Sequence, residues 1–373
     1  MSSERKKHSH EPLIRISKRD GVALWKAWGI RLIGVALSLI VCGLVIYSIV
    51  KLNPIQVYKT MLDGVFLTPK RTWVWIRDIM MLLCVAVGLA PAFKMRFWNI
   101  GAEGQILVGG VAAAACMIYL GNGTLNTPVL LIVMALASLA FGGLWGLIPA
   151  AAKAKWNTNE TLFTLMMNYV AIQLTSFFVA KWEHPFGSNS VGTINATSKV
   201  GWFPSVFGQS YMLNVIIVMA VTIAMFIYLK YSKHGYEIAV VGESENTARY
   251  AAINVKKVIV RSMTLSGAIC GLAGFIAVAG ASHTISTSTA DGRGFTAIII
   301  AWLAKFNPFV MILISGLIAF LDKGAIEIAS QYQLNDYVSE MITGIILFFI
   351  LGSEFFINYR VKFGSTKSKE VAQ

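Results

Sequence analysis

Charge is what this chain has least of. Only 13% of its 373 residues are Asp, Glu, Lys or Arg, against about a quarter in ordinary soluble domains. With 56% hydrophobic residues and a mean hydropathy of +0.65, the shortage excludes a water-soluble globular fold and leaves an all-α polytopic membrane protein. Cysteine is also scarce. Cys42, Cys84, Cys116 and Cys270 all lie in apolar runs without metal-ligand spacing, which argues against a zinc site or a disulfide framework and reads as small-residue packing. The five histidines are scattered, with no His-Glu-x-x-His and no Cys/His cluster, so neither metal nor cofactor is expected on this chain. There is no Gly-x4-Gly-Lys-Ser/Thr, so ATP is not bound through a P-loop. The absence of paired catalytic carboxylates or a Ser/His dyad within the apolar runs argues against an intramembrane enzyme.

What charge there is has a sign and a place. Basic residues outnumber acidic ones, 32 − 18 = +14, a balance that in a soluble protein points to nucleic acid. Here the excess clusters in the tails and in certain loops, as the positive-inside rule and an anionic inner leaflet require. Membrane lipids, not nucleic acid, are the expected partner. Residues 1–28 form a basic cytoplasmic tail with Arg5-Lys6-Lys7, Arg15 and Lys18-Arg19, too long and too polar for a signal peptide. Residues 29–357 form the transmembrane domain, and residues 358–373 a second cytoplasmic tail, polar and basic, of which 360–373 are expected to be disordered.

A crossing takes about 20 residues, and by that ruler ten spans fall near 29–50, 74–94, 99–120, 128–150, 161–181, 211–230, 259–280, 291–304, 308–327 and 337–357. The eighth is too short to cross as one regular helix and is expected to be broken or re-entrant. An even count puts both termini on one side, and Lys94, Arg96, Lys153, Lys155, residues 230–258, Arg360, Lys362, Lys367 and Lys369 make that side cytoplasmic. Residues 51–77 are the exception, carrying Lys51, Lys59, Lys70, Arg71 and Arg77 on the other side. Either they fold back on the surface or the first two spans are misplaced. Spans two to five and seven to ten read as two units of opposite starting direction, an inverted repeat.

The chemistry concentrates at two helix starts. Phe97-Trp98-Asn99-Ile100-Gly101-Ala102-Glu103-Gly104-Gln105 puts a carboxylate and two amides beside glycines at a membrane edge, which is costly unless these groups face protein or water. It reads either as a capped helix start or as a broken helix lining a route. Asp291-Gly292-Arg293-Gly294-Phe295-Thr296-Ala297 opens the eighth span from the other side. Glycine-interrupted, polar-tipped starts at corresponding positions point to a midplane site. Asn168, about two turns into the fifth span, is placed either to bond a neighbouring helix or to face the same route. Asn99, Glu103, Gln105 and Asn168 are therefore the candidate pathway groups.

Asn99 to Gln105, Asn-Ile-Gly-Ala-Glu-Gly-Gln, resembles the signature of the permeases of bacterial ABC importers of the simple-sugar and nucleoside type. It is most similar to the NupP-like nucleoside branch that works with Bmp-type lipoproteins. The resemblance extends through Asn159-Glu160, Met166-Met167-Asn168-Tyr169 and Ser266-Gly267-Ala268, from about residue 30 to about 357. Ribose permeases usually carry a Gly-Ile-Asp-Leu-Ser-Val-Gly type stretch at the comparable place, which is missing here. The loop 231–258 resembles the family's cytoplasmic coupling segment, with a short helix expected after Gly242 and capped by Ser244. The resemblance implies that Gly235, Glu243, Asn246, Arg249 and Tyr250 contact an ATP-binding subunit.

It further implies a second related permease subunit, an extracytoplasmic substrate-binding lipoprotein docking near 182–210, and a place in the bacterial plasma membrane. The expected function is passage of a nucleoside by alternating access, with ATP hydrolysed on a partner chain. A ribose or other simple-sugar permease is the alternative of the same class. An ion-coupled secondary carrier shares the inverted repeat, but no intramembrane proton-relay chain supports it.

Overall fold

The computed structural model describes residues 14–19, 23–121 and 125–363. Arg5, Lys6, Lys7, Lys367 and Lys369 of the two tails lie outside the described residues. Thirteen α-helices are present among the described residues, and nine are long and apolar enough to cross a membrane. In chain order come a strand β1 (Ile14–Lys18), then α1 (Leu24–Val45), α2 (Pro54–Phe66), α3 (Pro69–Lys94), α4 (Ala102–Leu120), α5 (Thr127–Trp156) and α6 (Glu160–Trp182). They are followed by α7 (Met212–Tyr231), α8 (Lys233–Glu243), α9 (Glu245–Tyr250), α10 (Val255–Ala277), α11 (Arg293–Leu303), α12 (Pro308–Gln331), α13 (Asp336–Asn358) and a strand β2 (Tyr359–Phe363). The chain divides into two units, residues 1–64 with 324–373, and residues 65–323, the division falling inside α2 and α12.

In the first unit α1 and α13 run antiparallel. Gly34 lets the Ser353 side chain and the Phe349 carbonyl approach α1, and Arg31 pairs with Glu354. The chain before α1 and the chain after α13 extend this pairing as β1 and β2, in register from Ile14 opposite Phe363 to Lys18 opposite Tyr359. The segments leading to both termini thus leave at the same end, and Tyr359–Phe363 of the second tail are strand rather than loose chain. Along α2, Val57, Thr60 and Met61 are buried while Ile55 and Lys59 are exposed, a helical stripe that seats Met61 on Gly324.

The second unit holds the core. α3, α4 and α10 are buried on almost every side, whereas α5, α6 and α7 each show one buried stripe. On α6 that stripe is Thr164, Asn168, Ala171, Thr175 and Val179, a helical period. The opposite faces expose Phe141, Leu144, Tyr169, Phe177 and Ile223, as a surface facing lipid or a partner does. The α4–α5–α10 contact is backbone against backbone. A Cβ on Gly109 would strike Gly271, one on Gly142 would strike Gly267 and Gly271, and one on Gly146 would strike Met263. Ser138 Oγ donates to the Gly109 carbonyl at 2.8 Å across the seam. Small residues permit such close crossings, where dispersion and short polar contacts replace the hydrophobic effect that lipid cannot supply.

Residues 51–77 resolve into α2 and the first turns of α3, so the second span begins at Pro69 rather than near 74. Thr68 caps it, accepting from Arg71 N–H at 3.4 Å, and Pro69 suits the first helical position. Arg77, well inside the helix, is paired with Asp78 at 2.8 Å, which makes the charge tolerable there. The eighth span is the 11-residue α11, about 16 Å long and about half a hydrocarbon core.

A valine at Gly109 must displace α10 backbone, so Gly109→Val should cost at least the 1–3 kcal/mol typical of overpacking, roughly. By contrast, Gly352→Ala meets nothing within 4 Å and should be neutral. Thermal midpoint and folded yield in detergent check both; equal behaviour of the two variants would contradict the seam.

Candidate functional site

Two faces can be told apart within the second unit. Lys94, Lys153, Lys155, Lys230, Lys256 and Lys257 gather where α3, α5 and α7 end and α10 begins, and this is the basic face. At the opposite face residues 183–211 fold down as a cap. Ile194 N–H donates to the His283 carbonyl at 2.9 Å and Phe203 N–H to the Ala279 carbonyl at 3.0 Å, while Trp202 stacks on His283 at 3.8 Å.

From the basic face, residues 95–101 turn back inward before α4 begins. Asn99 Nδ2 donates to Ser266 Oγ at 3.2 Å, and Ser266 is near the middle of the 28-residue stretch Val255–Ser282. The start of α4 is therefore at mid-depth. From the opposite face, residues 283–292 descend to the start of α11, whose far end stacks Trp302 on Trp98 at 5.4 Å and against Phe93 at 6.0 Å, close to the end of α3. Two half-helical crossings thus approach mid-depth from opposite faces.

Glu103 joins them. Its side chain, 8% exposed, accepts from Gly292 N–H at Oε1 and from Gly294 N–H at Oε2, both at 2.8 Å. Gly294 has to be glycine, because a Cβ there would strike Glu103 itself. Around this clasp every candidate pathway group has a partner within the chain. Asn99 and Gln105 exchange amide bonds at 3.3 and 3.4 Å, and Asn99 Oδ1 accepts from Gly101 N–H at 3.0 Å. Asn168 Oδ1 accepts from Gly104 N–H and its Nδ2 donates to the Ile100 carbonyl, both at 2.9 Å. Ile100 N–H donates to Thr164 Oγ1 at 3.2 Å. Of the two placements open for Asn168, the geometry shows the bond to a neighbouring element. Thr164 and Ser266 are not among the candidate pathway groups that the sequence offers, since an isolated hydroxyl in a span ordinarily bonds its own helix.

The second cluster lies on the basic face. Ser232 caps α8, and Gly235 is buried in the α7–α8 turn, where a Cβ would strike the Tyr228 and Leu229 carbonyls. Gly242 lies against the Lys94 carbonyl, and Glu237 pairs with Arg261 of α10 at 2.7 Å. α8 is therefore fixed to α3, α7 and α10. The helix expected after Gly242 is α9, with Ser244 Oγ accepting from Thr247 N–H at 3.3 Å. Glu243, Asn246, Arg249 and Tyr250 are exposed, Tyr250 at 93%, while Ala248 anchors the inner side. Gly235 belongs to the turn beneath this surface, not to the surface.

Among the described residues no group of three or more His, Cys, Asp or Glu side chains could hold a metal ion. Nine helices of spanning length among the described residues, with two crossings broken where Glu103 joins them, define a multi-pass membrane protein. The family described as branched-chain amino acid transport system, permease component, matches residues 73–351, and the chain belongs to that family. It is 28% identical to the glucose ABC transporter permease protein TsgB13 of Haloferax volcanii over 93% of each chain. It is 29% identical to the guanosine ABC transporter permease protein NupP of Bacillus subtilis, over 84% of this chain and 88% of that one. Identity to the nucleoside ABC transporter permease protein NupB of Lactococcus lactis is 24%, over 85% of this chain and 90% of that one.

Glu103→Ala leaves the two glycine N–H groups without their acceptor, at about 1–3 kcal/mol each, whereas Glu103→Gln keeps one oxygen. Thermal midpoints should fall in the order Glu103, Gln, Ala; an alanine variant as stable as the parent would contradict the clasp.

The Arg261 hydrogen bond holds the Glu237 carboxyl below its ordinary value of 4.5, with His234 adding to it and burial opposing. A carboxyl lowered in the folded state stabilises fully above its unfolded value and loses that contribution as pH falls through the lowered one. Amide exchange in α8 should accordingly speed up from about pH 5 downward, beyond the intrinsic pH trend. Arg261→Gln should remove the excess.

Proposed function

We propose that this chain is the membrane-spanning subunit of an ATP-driven importer of a nucleoside, passing its cargo by alternating access while a separate subunit hydrolyses ATP. The observation that carries the reading is the clasp at Glu103, which closes mid-depth between half-spans reached from opposite faces. That layout is what an inverted repeat around a midplane site generates. Asn99, Gln105 and Asn168 hold the first half-span in position in the closed state, and the release of Glu103 from α11 opens the route.

The drive enters at α9. A short exposed helix on a rigid mount transmits movement when a partner grips it, and Glu243, Asn246, Arg249 and Tyr250 supply the grip for the ATP-binding subunit. From α8 the force passes through Glu237 and Arg261 to α10, and through Ser266 and Asn99 to the clasp. The basic face is then cytoplasmic, with both termini on that side of the cell membrane. The cap 183–211 faces the substrate-binding lipoprotein, and a second related permease completes the pathway. A simple sugar is the second reading, favoured by the likeness to the glucose permease TsgB13 over 93% of both chains.

The test is uptake of labelled guanosine and uridine, with ribose and glucose in parallel, in a strain lacking this chain and in its complemented counterpart. Loss of nucleoside uptake alone, insensitive to a protonophore at constant ATP, is the expected result. Loss of sugar uptake alone would change the cargo and keep the machine, and collapse with the proton gradient would replace the reading by an ion-coupled carrier. Exchanging residues 243–250 for a Gly/Ser linker should abolish both transport and recovery of the ATPase with the permease.

A further inference from the structure

A polar cavity of about 250 Å³ opens at the face opposite α8 and α9, between α3, the end of α10 and the descending loop 283–292. We infer that this cavity is the receiving site for a neutral cargo bearing several hydroxyls, such as a furanose or pyranose ring, held immediately outside the Glu103 clasp. The inference rests on the importer reading and adds to it the location and chemistry of cargo capture.

Charge decides the cargo class first. The charged side chains of the wall are Arg77, Asp78, Asp291 and Arg293, which sum to zero. They are also paired already: Arg77 with Asp78 at 2.8 Å, Asp78 with Lys323 at 2.9 Å, and Arg293 with Asp291 at 3.6 Å. No unpartnered charge is offered to an anion or a cation, and displacing a paired one to bind an ionic cargo costs more than it returns in a partly buried site. Ionisable groups within a span are rare and ordinarily line a pathway, and Asp78 is one of them, 5% exposed.

Hydroxyls decide next. Ser286, Ser288 and Thr289 line the same wall and form a short chain, Ser286 to Ser288 at 3.0 Å and Ser286 to Thr289 at 3.4 Å. Each hydroxyl donates and accepts by rotation, so the chain can exchange partners with cargo hydroxyls at little cost. Met81, Ala277 and Ala281 supply an apolar wall for the C–H face of a ring. The volume lies just below the range of small-molecule sites, which run from about 300 Å³ upward, so it suits one ring or a nucleoside and excludes an oligosaccharide.

Position completes the case. Two wall residues, Asp291 and Arg293, flank Gly292, whose N–H is held by Glu103 at 2.8 Å. The clasp is therefore bonded to the chain between two wall residues, and releasing Glu103 frees the loop on which the hydroxyls are carried.

The experiment compares Ser288→Trp, which fills the cavity from an exposed loop position, with Thr287→Trp, one residue away and outside the wall. Uptake of labelled guanosine, glucose and leucine is measured in cells carrying the whole transporter at matched membrane levels. Ser288→Trp should reduce guanosine or glucose uptake at least tenfold, chiefly through KM, while Thr287→Trp stays within twofold and leucine is not imported by the parent. A parent that imports guanosine or glucose, with Ser288→Trp as active as Thr287→Trp, overturns the cavity and leaves the importer standing. A parent that imports leucine alone, a zwitterion without hydroxyls, overturns the hydroxyl-bearing cargo free of ionic groups. A parent inert towards all three fells the importer reading and this inference with it.

Discussion

A single buried carboxylate ties the start of α4 to the start of α11. Glu103 lies in the first turn of α4 and accepts from the backbone at the start of α11, so two helix N-termini converge on it. Each terminus carries the equivalent of about half a positive charge. Without an anion between them the two ends would repel and leave donors unpaired in a medium with no water to satisfy them. A buried carboxylate alone would be equally untenable. Charge and dipoles cancel only together, which makes the clasp a joint property of α4 and α11 rather than of either helix.

The clasp depends in turn on how closely the surrounding helices approach. Asn99 reaches Ser266 and Ser138 reaches the Gly109 carbonyl because glycine backbones on α4, α5 and α10 touch without intervening side chains. In lipid the apolar surface gives no preference for one helix partner over another, so this close fit and the short polar contacts across it set the position of α4. The same logic explains why α5, α6 and α7 each need only one buried stripe. They wall the α3–α4–α10 core on one side and face lipid or a partner on the other.

Much of the architecture was legible because it follows from length and hydropathy. The spans near 99–120, 161–181 and 211–230 agree within three residues at each end with α4, α6 and α7, and the short eighth crossing declared itself by being too brief to span. Both polar-tipped helix starts were visible, as was the cap at Ser244. The earlier start of α3 was hidden because Lys70, Arg71 and Arg77 lower the local hydropathy, and nothing in the linear pattern reveals that Arg77 is neutralised by Asp78. Long-range pairing was illegible for a more basic reason. Glu103 and Gly292 are 189 residues apart and β1 and β2 are joined by nearly the whole chain, so no local periodicity encodes either contact. The serine-rich loop before Asp291 reads as an ordinary turn until α3 is placed beside it.

α10 then connects the parts that a transport cycle must move together. Arg261, which holds α8, and Ser266, which holds Asn99, are on this one helix little more than a turn apart, too short an interval to absorb a displacement by bending. Under the proposed drive a shift of α8 is delivered to the start of α4 almost undiminished. Glu103 responds to a small shift because its two 2.8 Å bonds are directional and weaken steeply with misalignment. Farther along, Trp98 and Trp302 stack where the first half-span leaves the basic face and α11 arrives. Displacing the start of α4 therefore acts on the mid-depth clasp and on the aromatic contact at the basic face in the same movement. Two contacts at different depths, held by one pair of elements, respond together to a single rigid shift, which is the mechanical content of having broken helices there.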